Sequence, residues 1–220
     1  MTLMWVFQLC DELPMIGFSS FLAWSVFNVE PGYANSVFSM TSLAAIFVAD
    51  LTLAYTYVRS FPLQVKTLTI LTHRGTRLQI RNPLPALHQI AFGFIMLSLV
   101  ARTSWLIEHR LPERERTKVA SLYQRGALAF ILGFCCWLAE RASCSSLQAV
   151  RAVLGPTLGT VTELHAWWHL LTGYGTYLMC TAATLLVLSV KSPLERFEFV
   201  PSFGGFLPYV RRVDTGRKKV

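Results

Sequence analysis

Leu164–Val190, LHAWWHLLTGYGTYLMCTAATLLVLSV, contains no Asp, Glu, Lys or Arg. It exceeds the roughly 20 residues that a helix needs to cross the hydrocarbon of a bilayer. Gly155-Pro156 and Gly159 break the chain ahead of it, and Thr162 is the expected helix N-cap. Outward from this segment, the same apolar pattern recurs. Further spans are expected at Phe7–Phe27, at Val37–Val58 with Asp50 inside it, at Leu87–Ile107, and at Gly126–Leu138 reaching toward Ala142. Composition agrees: 53% of the 220 residues are hydrophobic and 15% charged, with a mean hydropathy of +0.45. Soluble domains carry about 25% charged residues. The fold class expected is therefore all-α, a polytopic membrane helix bundle of about five spans over residues 1–190. A basic tail follows over 191–220, expected to be surface-bound or disordered.

The net charge of +8 sits in connections and tail. Without one basic face carrying interleaved aromatics, nucleic acid is not an expected partner. Such residues contact anionic headgroups and bias topology. Glu30-Pro31-Gly32, the Thr-rich stretch Arg59–Pro85, and Glu108–Arg125 with Pro112 are the expected links. Five spans put the termini on opposite sides, and a cytosolic tail would then leave Arg74, Arg77 and Arg81 on the far side, so charge does not fix topology. Cys10, Cys135, Cys136, Cys144 and Cys180 form no CxxC pair, and most read as small packed apolar residues.

The chemistry is concentrated at the head of the last span. His165 and His169 stand at i,i+4, which places two imidazoles one turn apart on one helix face. That spacing suits two ligands of a zinc ion at about 2.0–2.1 Å. Thr172 and Thr176 continue the same stripe. Ionisable groups inside a membrane are costly and mark functional sites, although a lone His or a Trp pair at a helix end is also an ordinary packing or interface feature. The spacing matches the histidines of HExxH, but Ala166-Trp167-Trp168 lacks the Glu base. The proton acceptor must come from elsewhere, and Asp11 in Asp11-Glu12-Leu13-Pro14-Met15 is the available carboxylate. Glu12 reads as a solvated interfacial charge, Asp50 as a helix–helix hydrogen bonder, His88 as interfacial, and His73 and His109 as solvated link residues.

Taken together, Asp11–Met15, Phe130-Ile131-Leu132-Gly133-Phe134 with Trp137, and His165–His169 with Leu171-Thr172-Gly173 resemble the alkaline ceramidase family in order and spacing. That family belongs to a superfamily of seven-helix membrane hydrolases that includes the adiponectin and progestin receptors. The resemblance implies that His165 and His169 are two of three zinc ligands, that Asp11 orients the attacking water, and that Thr176 is a hydroxyl near the site. It implies a ceramide-class substrate (ceramide, phytoceramide or dihydroceramide) and an endoplasmic-reticulum or Golgi membrane. It also implies elements expected ahead of Met1: the third His ligand, a serine one turn before it, and an acidic calcium-binding segment. About five of seven helices are then present. Cys144 falls where the family places a cysteine paired with one in that upstream segment. Two functions are compatible with this reading: a zinc-dependent ceramide amidohydrolase, weak or inactive in the chain as written, and a non-catalytic lipid-binding or receptor-like protein of the same fold.

Overall fold

A computed structural model describes residues 5–32, 83–193 and 196–213, together with 41, 42, 45, 46, 48, 49 and 52, which are helical. Side chains are described from Pro14 in the first helix and essentially from Ile90 in the second. Four long helices are described: α1 (Trp5–Phe27), α2 (Pro83–Arg110), α3 (Glu113–Gly159) and α4 (Leu164–Lys191). A two-stranded antiparallel hairpin, β1 (Arg196–Val200) and β2 (Tyr209–Val213), closes the described chain. The all-α membrane bundle is the architecture observed. Among the described residues, α3 and α4 are long and apolar enough to cross a membrane, and Pro14–Phe27 is a shorter apolar stretch.

The chain divides into two compact units: residues 1–29 with 33–103, and 30–32 with 104–220. In the first, Ile16, Ser19, Ser20, Val26, Leu99 and Thr103 are buried. Ser19 and Ser25 return their hydroxyls to carbonyls of their own helix, Met15 O at 2.7 Å and Leu22 O at 2.7 Å. In an apolar setting this satisfies the hydroxyl without a partner on another element. The Arg102 guanidinium lies 5.7 Å from the centroid of Phe27.

The second unit is built on an antiparallel α3–α4 pair, whose core includes Val119, Leu122, Leu178, Met179, Ala182 and Leu186. Close backbone approach sets its crossing. A Cβ placed on Gly126 would fall 2.7 Å from Gly175 O, and one on Gly175 would fall 2.7 Å from Phe130 N. Small residues at such crossings let helix backbones touch, as is common in membranes. The apolar outer face of α3 stays uncovered at Leu128, Ile131, Leu132 and Leu138, as a lipid-facing helix requires. Gly32, at φ +91, donates its N–H to Lys191 O at 2.9 Å and so satisfies a carbonyl at the end of α4.

Three sequence expectations need correction. Glu108–Arg125 is not a link: α2 runs to Arg110 and α3 starts at Glu113 behind Pro112. Proline at a helix start loses nothing by lacking an N–H, and Glu113 and Glu115 favour the first turn. His109 is accordingly a last-turn residue of α2, stacked on Trp105 at 4.8 Å. The N-cap of α4 is Glu163; Thr162 closes a short 3-10 turn over Thr160–Thr162, its hydroxyl donating to Gly159 O at 2.7 Å. Nor is the tail structureless through Val213. RFEFV and YVRRV alternate with the period of a strand and pair from Arg196↔Val213 to Val200↔Tyr209. Arg211 donates to Glu198 Oε1 at 2.7 Å across the pair, and this hydrogen bond holds the guanidinium pKa above its usual value.

Candidate functional site

The orientation of α4 is set by an aromatic cluster on α3. Trp168 is buried against Phe130, Phe134 and Trp137, with ring centroids 6.1, 6.1 and 6.3 Å away. Arg141 covers Trp137 at 4.8 Å. One turn on, Thr172 meets Gly133, where an added Cβ would lie 2.9 Å from the Thr172 methyl. The stretch FILGF with Trp137 is thus a socket for Trp168 and Thr172. At 100° per residue, the His165–His169 edge lies about 60° round α4 from this packed face. Trp167 points the other way and is exposed, its indole N–H donating to Val161 O at 2.9 Å.

On that edge the two imidazoles converge. Nε2 of His165 and Nε2 of His169 are 3.0 Å apart, with the rings nearly perpendicular at 86°. One ring donates and the other accepts. Two ligand atoms on one tetrahedral zinc, each at about 2.0–2.1 Å, stand about 3.3 Å apart. The pair therefore fits two positions of such an ion with little adjustment. His165 is half-buried and His169 exposed.

The remaining expected site residues divide. Thr176 is half-buried one turn beyond Thr172. Thr172 turns its hydroxyl back to Trp168 O at 2.6 Å and is spent on packing. Asp11 lies well inside α1, not at a helix start, and its side chain falls outside the described residues. The side chain of His88 falls outside them too, as do Asp50 and His73 entirely. Among the described residues, no group of three or more His, Cys, Asp or Glu is placed to hold a metal ion. Cys144 is a free, exposed thiol, with the Gln148 amide 3.7 Å from its sulfur.

One support was not read from the sequence. Arg151 reaches Glu140 Oε1 at 3.3 Å, Glu163 Oε2 at 3.3 Å, Thr162 O at 2.7 Å and Thr162 Oγ1 at 3.2 Å. It spans the non-helical break at Ser143 and clamps the entry to α4, immediately before the histidines. The available signal was an Arg in the apolar stretch AVRAVL with carboxylates about three turns to either side. Its side chain is 19% exposed and that of Glu140 17%, so the pair is shielded from bulk screening. Arg151→Ala is expected to cost about 1–3 kcal/mol by leaving Glu140 uncompensated. The check is thermal unfolding in detergent micelles; an unchanged midpoint would show that the clamp is ornamental.

Comparison with known proteins bears on the whole arrangement. Residues 1–211 match the family model described as Ceramidase. Alkaline ceramidase 3 of Mus musculus is 30% identical over 178 residues, 81% of this chain and 56% of that protein. Alkaline ceramidase YPC1 of Saccharomyces cerevisiae is 33% identical over 184 residues, 80% of this chain and 52% of that protein. Putative alkaline ceramidase dcd3A of Dictyostelium discoideum is 28% identical over 196 residues, 86% and 59% of the two chains. The chain spans rather more than half the length of these relatives. With the family-model match running from Met1 through Arg211, this chain belongs to the Ceramidase family.

Proposed function

We propose that the protein is a zinc-dependent hydrolase of ceramide-class lipids, releasing a sphingoid base and a fatty acid in an endoplasmic-reticulum or Golgi membrane. The observation that carries the metal assignment is the 3.0 Å approach of the His165 and His169 Nε2 atoms on a helix whose rotation is fixed by Trp168. Bound there, zinc would supply Lewis acidity toward the amide carbonyl and lower the pKa of a water. His165 and His169 hold two of its positions through neutral imidazoles. Asp11 orients the water and accepts its proton as the C–O bond forms, then delivers that proton to the departing nitrogen as the C–N bond breaks. Water and amide are thereby converted to acid and amine in balance. Thr176 offers a hydroxyl one helical stripe along from the histidines. The calcium that the resemblance implies has no assigned residues in this chain.

A second reading is kept alive by the lack of a third metal-ligating group among the described residues: a lipid-binding or receptor-like protein of the same fold. Purified protein in mixed micelles, given ceramide with added zinc, separates the two. The expected result is release of free sphingoid base, detected by mass spectrometry and stopped by a chelator. Ceramide binding without any release would overturn the hydrolase and favour the second reading.

A further inference from the structure

Beyond the His-bearing end, a cleft of about 490 Å³ opens between α3 and the C-terminal hairpin. Thr117, Lys118, Ser121 and Arg125 line it from α3, and Phe199 and Pro208 from the hairpin. We propose that this cleft is a docking site for the phosphate of an anionic phospholipid headgroup, with the hairpin turn as its apolar anchor.

Position is the first argument. Lys118 and Arg125 occupy the last two turns of α3 before the apolar stretch that starts at Gly126. That is where a helix leaves the hydrocarbon for the headgroup layer. The hairpin is held at the same level, because the Tyr177 hydroxyl donates to Pro208 O at 2.9 Å, two residues beyond the Gly126–Gly175 crossing. Beyond that crossing, α4 buries Leu178, Met179, Ala182, Ala183, Leu185 and Leu186 in protein. Its apolar character there is explained by packing and does not require lipid.

Chemistry is the second. A phosphate needs cations and hydroxyl donors, and the cleft wall supplies two of each. Among the described residues, Lys118 makes no ion pair, and Arg125 uses its Nε on Ser121 O at 3.4 Å. Glu198, the carboxylate on β1, is held by Arg211. The turn that borders the cleft, PSFGGFLP, leaves Phe203 79% and Phe206 69% exposed. Phe203, Gly204 and Gly205 all have positive φ, at 46, 66 and 93°. For Phe this is a strained conformation, held where it keeps the ring out of the protein. Exposed aromatics beside cations at headgroup depth match the chemistry of an anionic interface.

The full chain in detergent micelles would be titrated with phosphatidylinositol 4-phosphate and, separately, with phosphatidylcholine, and bound lipid counted by native mass spectrometry. The expected preference for the anionic lipid is tenfold or more, falling about fivefold for each of Lys118→Gln and Arg125→Gln. Lys118→Arg with Arg125→Lys should retain it. If the Gln variants lose helicity, Phe203→Ser/Phe206→Ser, which alters only exposed rings, should still weaken anionic-lipid binding severalfold. Equal binding of both lipids by the parent chain would overturn the proposal. So would an unchanged preference in folded Gln variants or in the Phe pair. Displacement of the lipid by equimolar inorganic phosphate would reassign the cleft to a free anion.

Discussion

Zinc is expected to leave a His165→Ala or His169→Ala protein about 10²–10³ times more readily than the parent, because four-ligand zinc sites hold about 10–16 kcal/mol, or about 2.5–4 per ligand. Each imidazole supplies one arm of the 3.0 Å pair, and removing either leaves the other without its partner nitrogen. Sphingoid-base release should fall to background in both variants. His169 is exposed, so its loss should not unfold the helix, and far-UV circular dichroism should be unchanged. Zinc titration by calorimetry gives the affinity directly. Parent-like zinc retention in both variants would remove the metal assignment from this helix while leaving family membership intact.

The second large effect is on the α3–α4 crossing. Gly175→Ala puts a Cβ 2.6 Å from Gly126 O and 2.7 Å from Phe130 N, and both obstacles are backbone. Side chains can rotate away from such a contact, but a packed helix has to move as a body. Overpacking of this kind costs about 1–3 kcal/mol, and here the upper end is expected. Gly126→Ala should behave alike, and the double variant should cost less than the sum because both substitutions act on one crossing. Gly173→Ala is the internal control. It sits two residues away with nothing within 4 Å of its Cβ position. Alanine there should be neutral or slightly stabilising through helix propensity. Unfolding midpoints in micelles compare the three, and a Gly175→Ala protein as stable as Gly173→Ala would refute the crossing geometry. Since the same crossing holds the face beside the histidines, Gly175→Ala should also weaken zinc binding.

What the sequence determined by itself is what local spacing controls. A charge-free run as long as Leu164–Val190 commits the backbone to helix, since neither lipid nor a packed apolar core offers its amides another partner. The i,i+4 spacing of His165 and His169 then sets their imidazoles one turn apart on one face, where the Nε2 atoms stand 3.0 Å apart. The order of Asp11, FILGF and HAWWH carried the family for the same reason, being read along the chain.

Tertiary structure decided what depends on distant partners. Nothing in Gly126 or Gly175 alone announces that they touch, because the crossing is a property of two helix faces 49 positions apart in register. Arg151 looks like a stray charge until the break at Ser143 brings Glu140 to it and the break at Gly155 brings Glu163. The mixed charges of Glu108–Arg125 read as a link in the sequence; helix persists from Glu113 because its buried face, Val119, Leu122 and Tyr123, packs in the core. The hairpin is not legible in RFEFV and YVRRV alone for a related reason: five-residue strands are stable only once paired and braced, here by Pro208 on Tyr177. Helices and an i,i+4 pair are written in neighbouring residues, whereas crossings, clamps and paired strands exist only after the chain has brought remote surfaces into contact.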